Sequence, residues 1–199
     1  MKKTLIALAA LAACAGITTR ARTHDVAFTY RMGGGFVGDI NRTHPASILP
    51  GLQNSTNPIR LYGDPALINA ADGSYRGIIV SDTADANIAG VLARPYPIQQ
   101  QSGGPSAALG SATPPQTAAA LDVLEDGFIL VKCNNFGANA PTRGGAVYCW
   151  YAANSGNHVQ GGFEAAATVS NTFKVLNAEW NSPVDSNGVA ELRVWKAKQ

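Results

Sequence analysis

The sequence predicts an all-β protein: a compact, jelly-roll-like barrel or sandwich of about eight to ten short strands. Three observations point there. Only 14% of the 199 residues are charged, while Gly, Ala, Ser, Thr, Asn and Pro are abundant, a balance typical of turn-rich β proteins. Short apolar or alternating runs are punctuated by turn pairs such as Asp72-Gly73, Asp126-Gly127 and Asn187-Gly188, the last a strong hairpin signal. Beyond the N-terminal stretch, no window keeps a helical repeat for more than two turns.

The chain opens with a signal-like leader, residues 1–25. Lys2 and Lys3 precede an apolar run from Leu5 to Ala13, shorter than the roughly 20 residues needed to cross a bilayer but suited to a signal-peptide core. "LAAC" (Leu11 to Cys14) fits a bacterial lipobox, which makes Cys14 a lipidation site if the leader works. Ala15 follows in place of Asp, implying outer-membrane sorting. The competing reading is a false upstream start: Val26 stands directly before "AFTYR", and a valine codon of the GUG type can initiate translation. Both readings stay open on sequence alone.

Residues 26–57 read as an extended docking arm, polar and broken by "GGG", "HP" and "LPG", with one alternating run, "VAFTYRM". The β domain is expected over 58–199. "IRLYG", "PALINA", "YRGIIVS" and "NIAGVLARPYPIQ" supply its first strands, with Pro95 and Pro97 stopping the last. Residues 99–120 form a Gly-, Pro-, Ser- and Gln-rich stretch, read as a flexible surface loop because strand-like sequence resumes on both sides. "LDVLEDGFILVKC" gives two strands around Asp126-Gly127, or one strand with a bulge. "GGAVYCWYAA", the turn "NSGNH", "GGFEAAATVS", "FKVLNAEWNS" and "VAELRVWKA" complete the series.

Charge argues against nucleic acid as a partner. Without residues 1–25 the chain keeps 11 basic and 12 acidic residues, so the formal +2 becomes −1, and no basic run remains to neutralise a row of phosphates. Cys133 and Cys149 lie in apolar runs expected to be neighbouring strands. A cross-strand disulfide suits an exported protein, but two buried free thiols are the preferred reading.

Candidate chemistry is sparse. "GGGFVG" (Gly33 to Gly38) matches G-x-G-x-x-G formally, but "DINRTHP" follows it and offers no helix N-terminus for a phosphate. His24, His44 and His158 lack partners at metal-ligand spacing. No G-x-S-x-G elbow occurs, and Asp122, Glu125 and Asp126 read as solvated carboxylates beside a turn. Trp150, Trp180 and Trp195, with Tyr148 and Tyr151, read as core or subunit contact before sugar shelf. Neither a catalytic residue nor a metal or cofactor is expected.

Four segments in order, "AFTYRMGGGFVGDINRTHPASI", "GVLARPYPIQ", "LDVLEDGFILVK" and "GGAVYCWYAANSGNHVQGGFEAA", resemble the capsid cement, or decoration, proteins of tailed bacteriophages, over most of Val26 to Trp195. The resemblance implies a non-enzymatic virion protein. It would sit on the outside of the icosahedral head, assembled in the host cytoplasm, and hold neighbouring major capsid proteins together. The expected partners are the major capsid protein and further copies of the chain, as a dimer or trimer, with no membrane unless the leader functions. Within the arm, Phe28, Tyr30 and Phe36 are the expected apolar anchors to the capsid, and Arg31, Asn41 and Arg42 the expected hydrogen-bonding groups. The alternative takes the leader at face value: a lipid-anchored outer-membrane β-sandwich, acting as a binding module or adhesin.

Overall fold

A 13-residue strand organises the molecule. The computed structural model describes residues 35–40, 46–95 and 113–196, within a contact unit spanning Gly33–Gln199. Cys14, Phe28, Tyr30, Arg31, Asn41, Arg42 and residues 96–112, which include 99–112 of the predicted loop, lie outside the described residues. The strands are β1 (Ser47–Leu52), β2 (Pro65–Ile68), β3 (Tyr75–Arg76), β4 (Gly90–Leu92), β5 (Ala120–Lys132), β6 (Ala146–Trp150), β7 (Phe163–Glu164), β8 (Thr172–Trp180) and β9 (Val189–Val194). Among the described residues there is no helix. The sheet runs β3-β2-β4-β5-β9-β8-β6-β7, with β1 added against β5. It is antiparallel and open, a sandwich-like all-β fold, as the composition predicts.

β5 serves both halves of this sandwich. Its first half, from Ala120 to Asp126, pairs with β1 and β4, and its second half, Gly127 to Lys132, pairs with β9. Side chains alternate along a strand, so Leu121 and Val123 enter a smaller core with Ile59, Tyr62, Tyr75 and Leu92, while Leu124 enters the larger core. Ile129 and Val131 also enter the larger core, although strict alternation from Leu124 would send them to the opposite face. A bulge resolves the conflict. Ser47 pairs with Asp126 and Ile48 with Leu124, so Glu125 is the extra residue, and Gly127 takes φ +137°. The one-residue slip turns the strand over, and both halves bury apolar faces in one core. Of the two sequence readings of this stretch, the single bulged strand is the one found.

The larger core is centred on Trp180, Phe163 and Phe173, the largest side chains with under 2% exposure, and Phe163 meets Trp180 edge to face at 6.5 Å. Trp150 is 4% exposed, so neither it nor Trp180 is a ligand shelf. β8 and β9 form the hairpin predicted at Asn187-Gly188, with a longer connection than a two-residue turn. Ala178 pairs with Val194, and Asp185 shapes the bend by accepting from the amides of Asn187 and Val189, both at 2.8 Å.

Two expectations are corrected. Cys133 and Cys149 are not on neighbouring strands, since β9 and β8 separate β5 from β6. Each bridges or pairs with Phe163, yet both are free and buried, as preferred. The segment 26–57 is not wholly an external arm either: β1 is part of the sheet. Pro50 is tolerated there because its partner Asp122 turns its carbonyl toward β4, accepting from Ala93 at 2.8 Å. Pro50 therefore faces away from β5, and its missing N–H removes no bond from that ladder. The last residues before β5 are tied down as well. Gln116 Nε2 donates to the Ile59 carbonyl at 3.2 Å, and Gln53 Nε2 to that of Pro115.

Candidate docking surface

Phe36 is the predicted docking residue that falls among the described residues, and its own domain holds it. The segment from Gly35 to Ile40 lies between Arg94, just beyond β4, and Leu130 of β5. The Gly38 amide donates to the Leu130 carbonyl at 2.7 Å, Leu130 returns a bond to Asp39 at 3.0 Å, and Arg94 donates to Gly38 at 2.8 Å. A tight turn closes over the segment, with the Phe36 amide donating to Asp39 Oδ2 at 3.0 Å. Gly38 is required here: its φ is +89°, and a Cβ would stand 2.7 Å from that of Tyr62. These bonds also dispose of a phosphate loop at "GGGFVG", because the Gly38 amide is already committed.

The Arg94 guanidinium completes the clasp. It lies over the rings of Phe36 (5.2 Å) and Tyr62 (5.6 Å). Its Nε donates to the Val37 carbonyl at 3.2 Å and lies 3.6 Å from Asp39 Oδ1. With its side chain 5% exposed, Arg94 makes these cation–π contacts where water competes little. Burial raises the Tyr62 phenol above its ordinary value, with Arg94 opposing. Phe36 remains 46% exposed, so one ring face is spent on Arg94 and the rest looks outward.

β1 supplies a second apolar surface. Ile48, Pro50 and Leu52 share one face of the strand by alternation, and Ile48 and Leu52 are 43% and 55% exposed. Beneath the other face, the Tyr75 ring packs on Gly51, where a Cβ would come within 2.1 Å of it.

The remaining candidates sort differently. His158 has an acidic partner that spacing alone did not reveal: its Nδ1 lies 2.5 Å from Glu164 Oε1, and its ring stacks on Trp150 at 4.1 Å. Asp122 and Asp126 are exposed, as expected, but Glu125 is partly buried on a strand instead of solvated at a turn. Asp64, not singled out from sequence, accepts from the Leu61 amide at 3.1 Å, and burial pushes its carboxyl up to about 8. Among the described residues no group of three His, Cys, Asp or Glu side chains could hold a metal ion.

The open sheet, its buried aromatics and the clasped N-terminal segment define an all-β sandwich-like protein, and comparison with known proteins gives its family. The family model of the XM1 gp53 minor capsid protein matches residues 26–194. The chain belongs to that family: it is a bacteriophage capsid-related structural protein. Among solved structures, a chain of "The capsid of Myoviridae Phage XM1" is similar at TM-score 0.56 and 15% identity, covering 84% of this chain and 94% of that one. At that identity the likeness speaks for the fold. No curated protein sequence matches.

Proposed function

We propose that this protein binds the outer surface of the icosahedral head and cements neighbouring major capsid proteins, using its N-terminal segment as the docking element. The observation that carries this reading is the pairing of rigidity with exposure in that segment. Phe36 is fixed by the Arg94 clasp and β1 by its ladder to β5, yet both leave large apolar side chains facing out. Pre-ordered anchors lose little entropy on binding. Repetition over the shell multiplies modest contacts. Phe28, Tyr30, Arg31, Asn41 and Arg42 belong to the same proposed element on the strength of the sequence resemblance. Association with the major capsid protein, and with further copies as a dimer or trimer, is part of the proposal.

The test is co-sedimentation of the purified protein with heads assembled without it. Deleting residues 27–50 would remove most of β1, so point variants are cleaner. The double variant I48S/L52S replaces exposed residues, whose substitution changes stability by only about 0.5 kcal/mol. F36A also removes the Arg94 cation–π contact, worth about 0.5–2 kcal/mol, so its fold is checked by urea unfolding alongside binding. Each variant is expected to weaken head binding by about tenfold or more. Binding unchanged in both variants would remove the N-terminal segment from the docking surface.

A further inference from the structure

We propose that the cleft beside the β5 bulge is a socket for an arginine side chain presented by a partner polypeptide. The cleft has a volume of about 570 Å3 and lies between β2, the 81–89 turn and the start of β8. Its walls include Ile68, 57% exposed, together with buried Ile88 and Phe173. Glu125 and Lys196 also line it.

Its charges are not equally satisfied. Arg76 and Asp82 form a two-pronged pair, both bonds at 2.8 Å, and Asp82 Oδ2 also accepts from the Ile79 amide at 2.8 Å. That pair is self-contained. Glu125 is the bulge's extra residue, without a partner in β1, and bulges re-aim side chains in this way. Its Oε2 is buried and accepts no hydrogen bond. The nearest cation, Lys196 Nζ, stands at 3.4 Å on a side chain 64% exposed. That contact is a long ion pair to an exposed side chain and not a hydrogen bond, and a buried carboxylate oxygen gains most from a short charge-assisted bond.

The cleft thus has the features an arginine requires: apolar walls for the stem and a carboxylate oxygen that makes no hydrogen bond, its cation contact being the long ion pair to the exposed Lys196. A guanidinium carries five donors in a planar fork and tolerates partial burial better than an ammonium. Lys196 shows that a cation is accepted there, and it becomes the competitor that an incoming arginine displaces.

The isolated protein suffices for the test, so its outcome is separable from head binding. Isotopically labelled protein is titrated with the peptide acetyl-Gly-Arg-Gly-amide and with its norleucine counterpart, and amide shifts are followed by NMR. The arginine peptide should shift Ile68, Ile88 and Phe173 and bind about tenfold more tightly than the norleucine peptide. Glu125→Gln should lose that advantage. Lys196→Ala should bind about threefold more tightly than wild type, a gain that mere loss of structure would not produce. Thr83→Trp, placed at the cleft wall with Glu125 intact, should block binding. The proposal is overturned if neither wild type nor Lys196→Ala shows shifts at the cleft, if norleucine binds equally well, or if Glu125→Gln binds like wild type.

Discussion

Replacing Gly38 by Ala should destabilise the protein far more than the same change at Gly73, although both glycines have positive φ. At Gly73 φ is +70° and an added Cβ would meet nothing within 4 Å. The cost there is the backbone term alone, about 1–2 kcal/mol. At Gly38 φ is +89°, and the Cβ would lie 2.7 Å from Tyr62 Cβ and 3.3 Å from both Arg94 Cβ and its amide nitrogen. These are stems and backbone, not flexible ends, so relief requires moving the segment or β4. Overpacking of this kind adds about 1–3 kcal/mol, for a total near 2–5 kcal/mol. Equilibrium urea unfolding of the two variants checks the difference, and the Gly38 variant should also lose the amide shifts of Leu130 and Arg94. Equal midpoints for the two variants would refute the claim that the Gly35–Ile40 segment is packed against the domain.

Other consequences follow from burial. Because burial holds the Asp64 carboxyl at about 8 in the fold, against about 3.9 in an unfolded chain, the folded state retains a proton that the unfolded state releases. Its contribution therefore lowers stability as pH rises between those values, by at most about 1.4 kcal/mol per pH unit. Asp64→Asn should be more stable than wild type at pH 8, with the difference vanishing near pH 4. Thermal melts across that range check the sign, and an advantage that grows toward acid would contradict it. Burial also raises the thiols of Cys133, to about 11, and of Cys149. Peptide mapping after iodoacetamide treatment at pH 8 should find both unmodified in native protein and both alkylated in urea without reductant.

What the sequence reveals here is local. Continuous apolar runs in "FILVKC" and "AVYCWYA" announce strands buried on both faces, alternation in "FKVLNAEW" announces a half-buried one, and Asn187-Gly188 marks a bend because Gly accepts positive φ at no steric cost. Buried thiols follow from the apolar company of Cys133 and Cys149. Partner choice is not local. Nothing near Arg94 points to Phe36, 58 positions upstream, and the clasp depends on β4 ending beside β5. The glycines of "GGGFVG" read as flexibility, whereas Gly38 is a close-packing requirement, a distinction visible only once Tyr62 is in place. His158 and Glu164 are six residues apart, and it is the turn between them and the pairing of β7 with β6 that bring them together. Glu125 looks like one of three solvated carboxylates until the register with β1 makes it the bulged residue.

Head stability on addition of the protein tests the proposed role most directly. Heads assembled without it are mixed with increasing amounts of the purified chain, and bound copies per head are measured alongside the temperature at which the shells rupture. Cementing predicts saturable binding at a fixed number of copies per head and a rupture temperature that rises with occupancy. Heads that take up no protein, or that fill to saturation and still rupture at the undecorated temperature, would contradict it.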